Sequence, residues 1–212
     1  MRELAEGVWQ LDGFPRDNVN VYVIDDVLVD AGTALVARSI LKQLAGREIS
    51  AHSITHAHID HVGSSHVVCT KLGIPMWAGE DDVPAVESGK MAMRGGRMVK
   101  HVRSHPVARA LREGDEVGGF KVLETPGHSP GHVSYWRESD GVLLCGDVMW
   151  GYNPFLLRGD IREPFTAFSP DPAQNRESAR RLAALEPKLI CFGHGPPLRD
   201  TERFAAAVER LA

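Results

Sequence analysis

Residues 56–61 read His56-Ala57-His58-Ile59-Asp60-His61. Four potential metal ligands fall within six positions. Ionisable groups packed this closely disfavour one another's charge, and an apolar core disfavours burying them. A divalent cation resolves the conflict. It accepts neutral imidazole nitrogens and carboxylate oxygens, and its own charge keeps the aspartate ionised. The stretch therefore reads as metal-binding, and the rest of the chain as the scaffold that completes its shell.

The spacing divides the stretch. His56 and His58 are two apart, so in extended chain they share a face. Asp60 and His61 are adjacent and can share a target only where the chain turns. This favours two metal positions, with His56 and His58 on one and Asp60 and His61 on the other. Neither pair fills a shell. Three further candidates follow expected strands, each beside glycine: His128 in Gly127-His128-Ser129, Asp147 in Gly146-Asp147-Val148, and His194 in Gly193-His194-Gly195. Glycine there permits tight turns and close backbone approach. His128 would give the first position a third imidazole, His194 would complete the second, and Asp147 could bridge them.

Elements are expected around these points. Val8–Leu11 and Val19–Ile24 read as strands, and Asp25-Asp26 as a turn into a hairpin strand ending at Asp30. Thr33 is expected to cap a helix with the stripe Val36, Ile40 and Leu44. A short strand over Ser53–Thr55 delivers the chain to His56, and a helix over Ser64–Leu72 stops at Gly73. From Glu87 to Arg112 the periodicity fades. Further strands read from Phe120 to Glu124, His132 to Trp136, Val142 to Cys145 and Leu189 to Phe192. Helices are expected after Asp171-Pro172 and from Thr201. This order suggests an α/β fold, a four-layer αββα sandwich, formed as a single domain over residues 1–212. Strand ends on one edge of such a sandwich form a natural cleft.

Composition sets bounds. An apolar content of 43% supports a sizeable core, and the net charge of −4 gives no overall pull toward nucleic acid. No run of 18 apolar residues predicts a membrane span, and the N-terminus lacks the apolar stretch of a signal peptide. Cys69, Cys145 and Cys191 are odd in number and widely spaced, which argues for a reducing, cytoplasmic setting. The sequence is silent on oligomeric state.

The full set resembles the metallo-β-lactamase superfamily, and within it the glyoxalase II-like branch of metallohydrolases. The resemblance rests on four stretches: Thr55-His-Ala-His-Ile-Asp-His61, Thr125-Pro-Gly-His-Ser-Pro-Gly-His132, Gly146-Asp147 and Gly193-His-Gly-Pro196. Val29-Asp30-Ala31-Gly32 also resembles the superfamily's N-terminal sheet. The resemblance implies that His56, His58 and His128 bind one metal ion. It implies Asp60, His61 and His194 for the other, with Asp147 between them and Asp30 orienting a ligand. The ligand chemistry suits two divalent ions, zinc foremost, with manganese or iron as alternatives.

Departures narrow the reading. The superfamily's β-lactamases usually carry cysteine where Asp147 stands. Glyoxalase II enzymes add a C-terminal helical domain that grips glutathione, and this chain ends about 18 residues after His194. Quorum-sensing lactonases tend to have tyrosine three residues after the bridging aspartate, where Trp150 stands here. Diiron flavoproteins of this fold carry glutamate in place of the motif's second histidine and add a flavin domain.

The expected activity is hydrolysis of a small ester, thioester or lactone by a hydroxide shared between two cations. Asp60 would orient that hydroxide and carry its proton. No Gly-x-Ser-x-Gly elbow competes with this mechanism. The alternatives are a mononuclear-iron persulfide dioxygenase using His56, His128 and Asp147, a phosphodiesterase or nuclease, and a binding module without turnover. The basic stretch from Lys90 to Arg112, with Arg94 and Arg97, reads either as a solvated loop or as a guide for an anionic small-molecule substrate. Trp150, Tyr152, Phe155, Phe165 and Phe168 read as an acyl pocket or as core. His52, His66, His101 and His105 are expected at the surface. His132 is expected to be structural or to support a ligand, and the three cysteines to be buried apolar residues.

Overall fold

The computed structural model describes residues 1–13, 15–93, 97–100, 102–153 and 160–211. The first half holds β1 (Arg2–Ala5), β2 (Val8–Gln10), β3 (Tyr22–Ile24), β4 (Val27–Val29), α1 (Ala37–Gln43) and β5 (Ala51–Ser53). Then come α2 (Ile59–Val62), α3 (Ser65–Leu72), β6 (Met76–Gly79), a 3-10 turn (Glu80–Asp82) and α4 (Val83–Ser88). A ribbon of β7 (Lys90–Met93) and β8 (Arg97–Lys100) precedes β9 (Arg109–Leu111) and β10 (Glu116–Val117). The second half continues with β11 (Phe120–Glu124), β12 (Val133–Arg137), β13 (Val142–Gly146), α5 (Pro172–Ala183), β14 (Leu189–Phe192) and α6 (Thr201–Glu209).

The strands form two main sheets. One has the order β1-β2-β3-β4-β5-β6-β9, the other β10-β11-β12-β13-β14. Side chains alternate across each strand, because successive residues of a strand face opposite sides. Tyr22, Ile24, Val27 and Val29 from the first sheet meet Val122, Tyr135, Leu144, Leu189 and Cys191 from the second in one buried cluster between the sheets. Their neighbours point outward. Val23 and Leu28 pack under α1 and α3, while Leu143, Ile190 and Phe192 pack under α5 and α6. The fold is the expected αββα sandwich.

Polar bridges tie the sheets together near one edge. The Tyr22 hydroxyl donates to the Phe192 carbonyl at 2.8 Å. The Tyr135 hydroxyl donates to the Ile54 carbonyl at 2.9 Å and meets Ser53 Oγ at 2.7 Å. These groups are buried, so each bond removes an otherwise uncompensated polar atom.

Several local expectations hold. Ile24 pairs with Val27, closing the two-residue hairpin at Asp25-Asp26. The Asp171 side chain accepts from Gln174 N at the start of α5, and Gly73 ends α3 in the left-handed region. Thr33 does not cap a helix. Helix α1 begins after Val36 without a side-chain cap, and Thr33 forms the preceding turn, its carbonyl accepting from Val36 N. The faded stretch holds the end of α4, the β7–β8 ribbon, which pairs with neither main sheet, and β9, the edge strand of the first sheet. Arg94, Gly95, Gly96, His101 and Phe155 lie outside the described residues. All three cysteines are free and buried. Among the described residues, no helix is long and apolar enough to cross a membrane.

His52 departs from its expected surface position. It is fully buried on β5. Its Nδ1 lies 3.1 Å from the Leu28 carbonyl and its Nε2 2.8 Å from Ser65 Oγ. Nδ1–H therefore donates and Nε2 accepts, so the neutral ring is satisfied. Burial pushes its pKa down to about 4, whereas an unfolded histidine titrates near ~6.5. The unfolded chain then binds the extra proton first. The stability from this site is complete above pH ~6.5 and is lost as pH falls toward the folded value, by roughly 3 kcal/mol in all. Urea midpoints of the wild type should fall more steeply across this window than those of His52→Gln. Parallel curves would overturn the assignment.

Candidate metal centre

The donor residues come from the C-terminal ends of strands in both sheets. His56 and His58 lie on the segment after β5, and the turn foreseen within the hexapeptide is the single-turn helix α2, which carries Asp60 and His61. His128 follows β11, Asp147 follows β13 and His194 follows β14. All seven residues converge. Three groups of donors each lie within 4.8 Å of one another: His56, His58 and His128; His56, His61 and Asp147; and Asp60, His61 and His194. Asp147 sits between the halves. Its Oδ2 is 3.5 Å from His128 Nε2 and 3.2 Å from His194 Nε2, and its Oδ1 is 3.5 Å from His61 Nε2. Gly193 makes room for it, since a Cβ there would fall 2.0 Å from Asp147 Oδ1.

The outer nitrogens show why the rings face inward. His61 Nδ1–H donates to Asp30 Oδ2 at 2.8 Å. His56 Nδ1 meets Thr55 Oγ1 at 3.0 Å, and that hydroxyl donates to Asp30 in turn. His128 Nδ1 meets Ser169 Oγ at 3.1 Å, and His194 Nδ1 donates to the Asn18 carbonyl. Where the partner is a carboxylate, a carbonyl or the Thr55 hydroxyl that already donates to Asp30, the tether makes Nδ1 the donor, and in each case it turns Nε2 toward the centre. Asp30 serves two rings from a left-handed backbone at φ 62°, a conformation uncommon outside glycine and most tolerated by Asn and Asp.

The inward atoms lack partners. His56 Nε2, His58 Nε2, His128 Nε2 and Asp147 Oδ1 are buried without a hydrogen bond. Leaving such groups unsatisfied is costly, and a divalent cation is the species that accepts imidazole nitrogens and carboxylate oxygen together. The residues therefore fit a metal centre.

Electrostatics separates the two halves. Burial, reinforced by neighbouring imidazoles, pushes His56 and His128 well below the usual histidine range. Burial also opposes protonation of His61 and His194, yet Asp147 and the other carboxylates overcome it. His61 is raised well above its ordinary value, and His194 to about 10. Burial likewise disfavours the Asp147 and Asp60 anions, but His61 and His194 hold both carboxyls low. Imidazole ligates only when neutral, so a cation held by His61 and His194 would displace their protons.

A cavity of about 340 Å³ opens over the cluster, lined by Asn18, Val19, Thr33, Ile59, Met91, Trp150 and Phe168 beside the donor residues. Among the described lining residues there is no lysine or arginine. The basic stretch reaches the cavity through Met91, while Arg109 pairs with Asp115 and Arg112 with Glu80. Trp150 and Phe168 of the aromatic loop do line it. His132 is buried, and its Nε2 accepts from Asp147 N at 3.1 Å.

Two supporting residues escape a reading of the sequence. Asn20 is buried. Its side chain donates to the Phe192 and Gly195 carbonyls at 2.8 Å each, holding the loop that carries His194. A polar residue inside the apolar run Val19-Asn20-Val21 was a signal for it. Asp82 accepts from Ala57 N, Ser129 Oγ and Gly131 N at 2.9, 2.6 and 2.9 Å, joining the two segments that carry His56, His58 and His128. Nothing in Glu80-Asp81-Asp82 marks which acid is buried.

Sandwich and strand-end cluster together define a class, αββα-sandwich proteins with a histidine- and aspartate-lined candidate metal centre. The model of the metallo-beta-lactamase superfamily matches residues 14–194, and the chain belongs to that superfamily. It is 30% identical to the probable metallo-hydrolase YybB of Bacillus subtilis (strain 168), over 95% of this chain and 94% of that one. It is 29% identical to a hydroxyacylglutathione hydrolase of Ectopseudomonas mendocina (strain ymp), over 94% of this chain and 70% of that one. The solved structure of TTHA1623 in a di-iron-bound form matches with a TM-score of 0.67 at 29% identity, covering 94% of this chain and 92% of that one.

Removing Asp82 strands two backbone N–H groups and a hydroxyl in a buried site. Asp82→Ala should lower stability by roughly 3 kcal/mol, at ~1–3 kcal/mol per unsatisfied group with partial relaxation. The urea midpoint measures this, and an unchanged midpoint would show that the carboxylate does not join the segments.

Proposed function

We propose that this chain is a binuclear metallohydrolase acting on a small, uncharged ester, thioester or lactone with an apolar acyl part. The observation that carries the reading is the set of inward, partnerless Nε2 atoms grouped around Asp147. His56, His58 and His128 would hold one ion, Asp60, His61 and His194 the other, and Asp147 both. Zinc, iron and manganese all suit such donors; zinc is the first choice, and the di-iron form of the similar TTHA1623 supports iron as well. When bound, the two cations supply an activated water and polarise the scissile carbonyl.

The protein's own contribution is placement. Asp60 is about one-third exposed, with its Oδ2 3.3 Å from His194 Nε2, and it lines the cavity. It thus faces both the cluster and the substrate space, a position suited to orienting the attacking water and passing its proton to the leaving group. Val19, Ile59, Met91, Trp150 and Phe168 surround the acyl group and exclude water. The lack of a described lysine or arginine in the lining supports an uncharged substrate over an anionic one, and weighs against a phosphodiester or nucleic acid. Three free, buried cysteines support a reducing compartment such as the cytoplasm.

A second reading retains one observation. His56 Nε2, His128 Nε2 and Asp147 Oδ1 are all partnerless, and two histidines with one carboxylate suit a mononuclear iron centre of the persulfide dioxygenase kind. Metal analysis of protein purified without added metal separates the readings. Two ions per chain and chelator-sensitive hydrolysis are expected, while one iron with oxygen uptake would replace the hydrolase reading. On a panel of thioesters, lactones, phosphodiesters and β-lactams, uncharged acyl substrates should turn over fastest. His128→Ala and Asp147→Ala should each lower kcat/KM by more than the ~10–100-fold typical of losing an outer partner. Folded variants with full activity would disprove the mechanism.

A further inference from the structure

Asp147 also meets a residue outside the donor set. Trp150 Nε1 donates to Asp147 Oδ2 at 2.8 Å. The indole is held in place. Its backbone pairs in both directions with Arg162, at 2.8 and 3.0 Å. Its ring meets Phe165 and His194 edge-on, with centroids 5.5 and 5.1 Å apart, and the residue is 3% exposed. An indole has one polar atom, an N–H that only donates. The contact therefore has one sense: Oδ2 accepts from Trp150, while Oδ1 has no hydrogen-bond partner and lies toward His61. A carboxylate held this way cannot rotate freely or offer its two oxygens equally.

We propose that Trp150 is a positioning residue for Asp147, and that its indole N–H makes the two carboxylate oxygens unequal cation ligands, so that the two cations bind with unequal affinity. Hydrogen bonding draws electron density from Oδ2 and leaves Oδ1 the stronger donor. The proposal rests on the reading that Asp147 serves both ions. Outer partners of metal ligands typically change affinity by ~10–100-fold. The residue three places after Asp147 thus sets how the centre fills, besides walling the cavity.

The test titrates metal-free full-length protein with Zn2+ against a chromophoric chelator and follows the indole N–H resonances of 15N-labelled chain. The four tryptophans give four such signals, and Trp150→Phe identifies its own by loss. Two unequal steps are expected for the wild type, with the Trp150 signal moving further on Zn2+ addition than those of Trp9, Trp77 and Trp136, none of which lines the cavity. In Trp150→Phe, which keeps an aromatic ring against Phe165 and His194, Oδ2 regains its donor strength and the two steps should move together, their affinity ratio changing by about 10-fold or more. Both affinities within about twofold of wild type, or a Trp150 signal unmoved by Zn2+, would overturn the proposal while leaving the two-metal reading intact. A wild-type chain that takes up no Zn2+ would overturn both. If the variant does not fold, the wild-type indole signals decide: a set unmoved by Zn2+ overturns the proposal.

Discussion

The constraint on which the structure depends is the tethering of imidazoles from behind. Buried histidines crowded around a carboxylate have no reason to point the same way unless their outer nitrogens are engaged. Here Asp30, Thr55, Ser169 and the Asn18 carbonyl engage them. Each tether comes from a different part of the chain, and together they turn separate polar residues into one inward-facing shell. The strained backbone at Asp30 and the bare Cα of Gly193 belong to the same requirement: a carboxylate must stand behind two rings, and another must fit between the halves.

The sandwich serves this arrangement by bringing strand ends from two sheets to one edge. The first sheet supplies His56 to His61, and the second supplies His128, Asp147 and His194. Neither sheet alone closes the site. The bonds that cross between them, from Asn20 and Tyr22 to the Phe192 carbonyl, lie beside the loop that carries His194. Core packing and ligand geometry are thus held by neighbouring atoms.

Much of this was legible in the sequence because the informative residues are locally unusual. The hexapeptide is dense in ligands, and His128, Asp147 and His194 each sit beside glycine after an apolar run. The apolar runs Tyr22–Ile24 and Leu189–Phe192 read as strands, and each is a strand buried on both faces. The less visible features depend on distant partners. His52 looks like a surface histidine until Leu28 and Ser65 surround it. Asp82 is one of three adjacent acids until it meets residues 57, 129 and 131. The β7–β8 ribbon pairs with neither main sheet, so its sequence does not follow their core alternation. Tertiary context, absent from any short window, decided each of these.

The spacing of the donors along the chain has a consequence for folding. His61 and His194 meet across 133 residues, and Asn20 reaches Phe192 across 172. Contacts of such high sequence separation form late, because loop-closure entropy must be overcome before they stabilise anything. On a chain growing from its N-terminus, the four donors of His56–His61 emerge long before His194. Until β14 docks, His56 and His61 have their tethers to Thr55 and Asp30, but Asp60 and His61 lack His194 beside them. The grouping of Asp60, His61 and His194 is therefore a checkpoint on completion of the fold: it is assembled only when the last strand of the sandwich is in place.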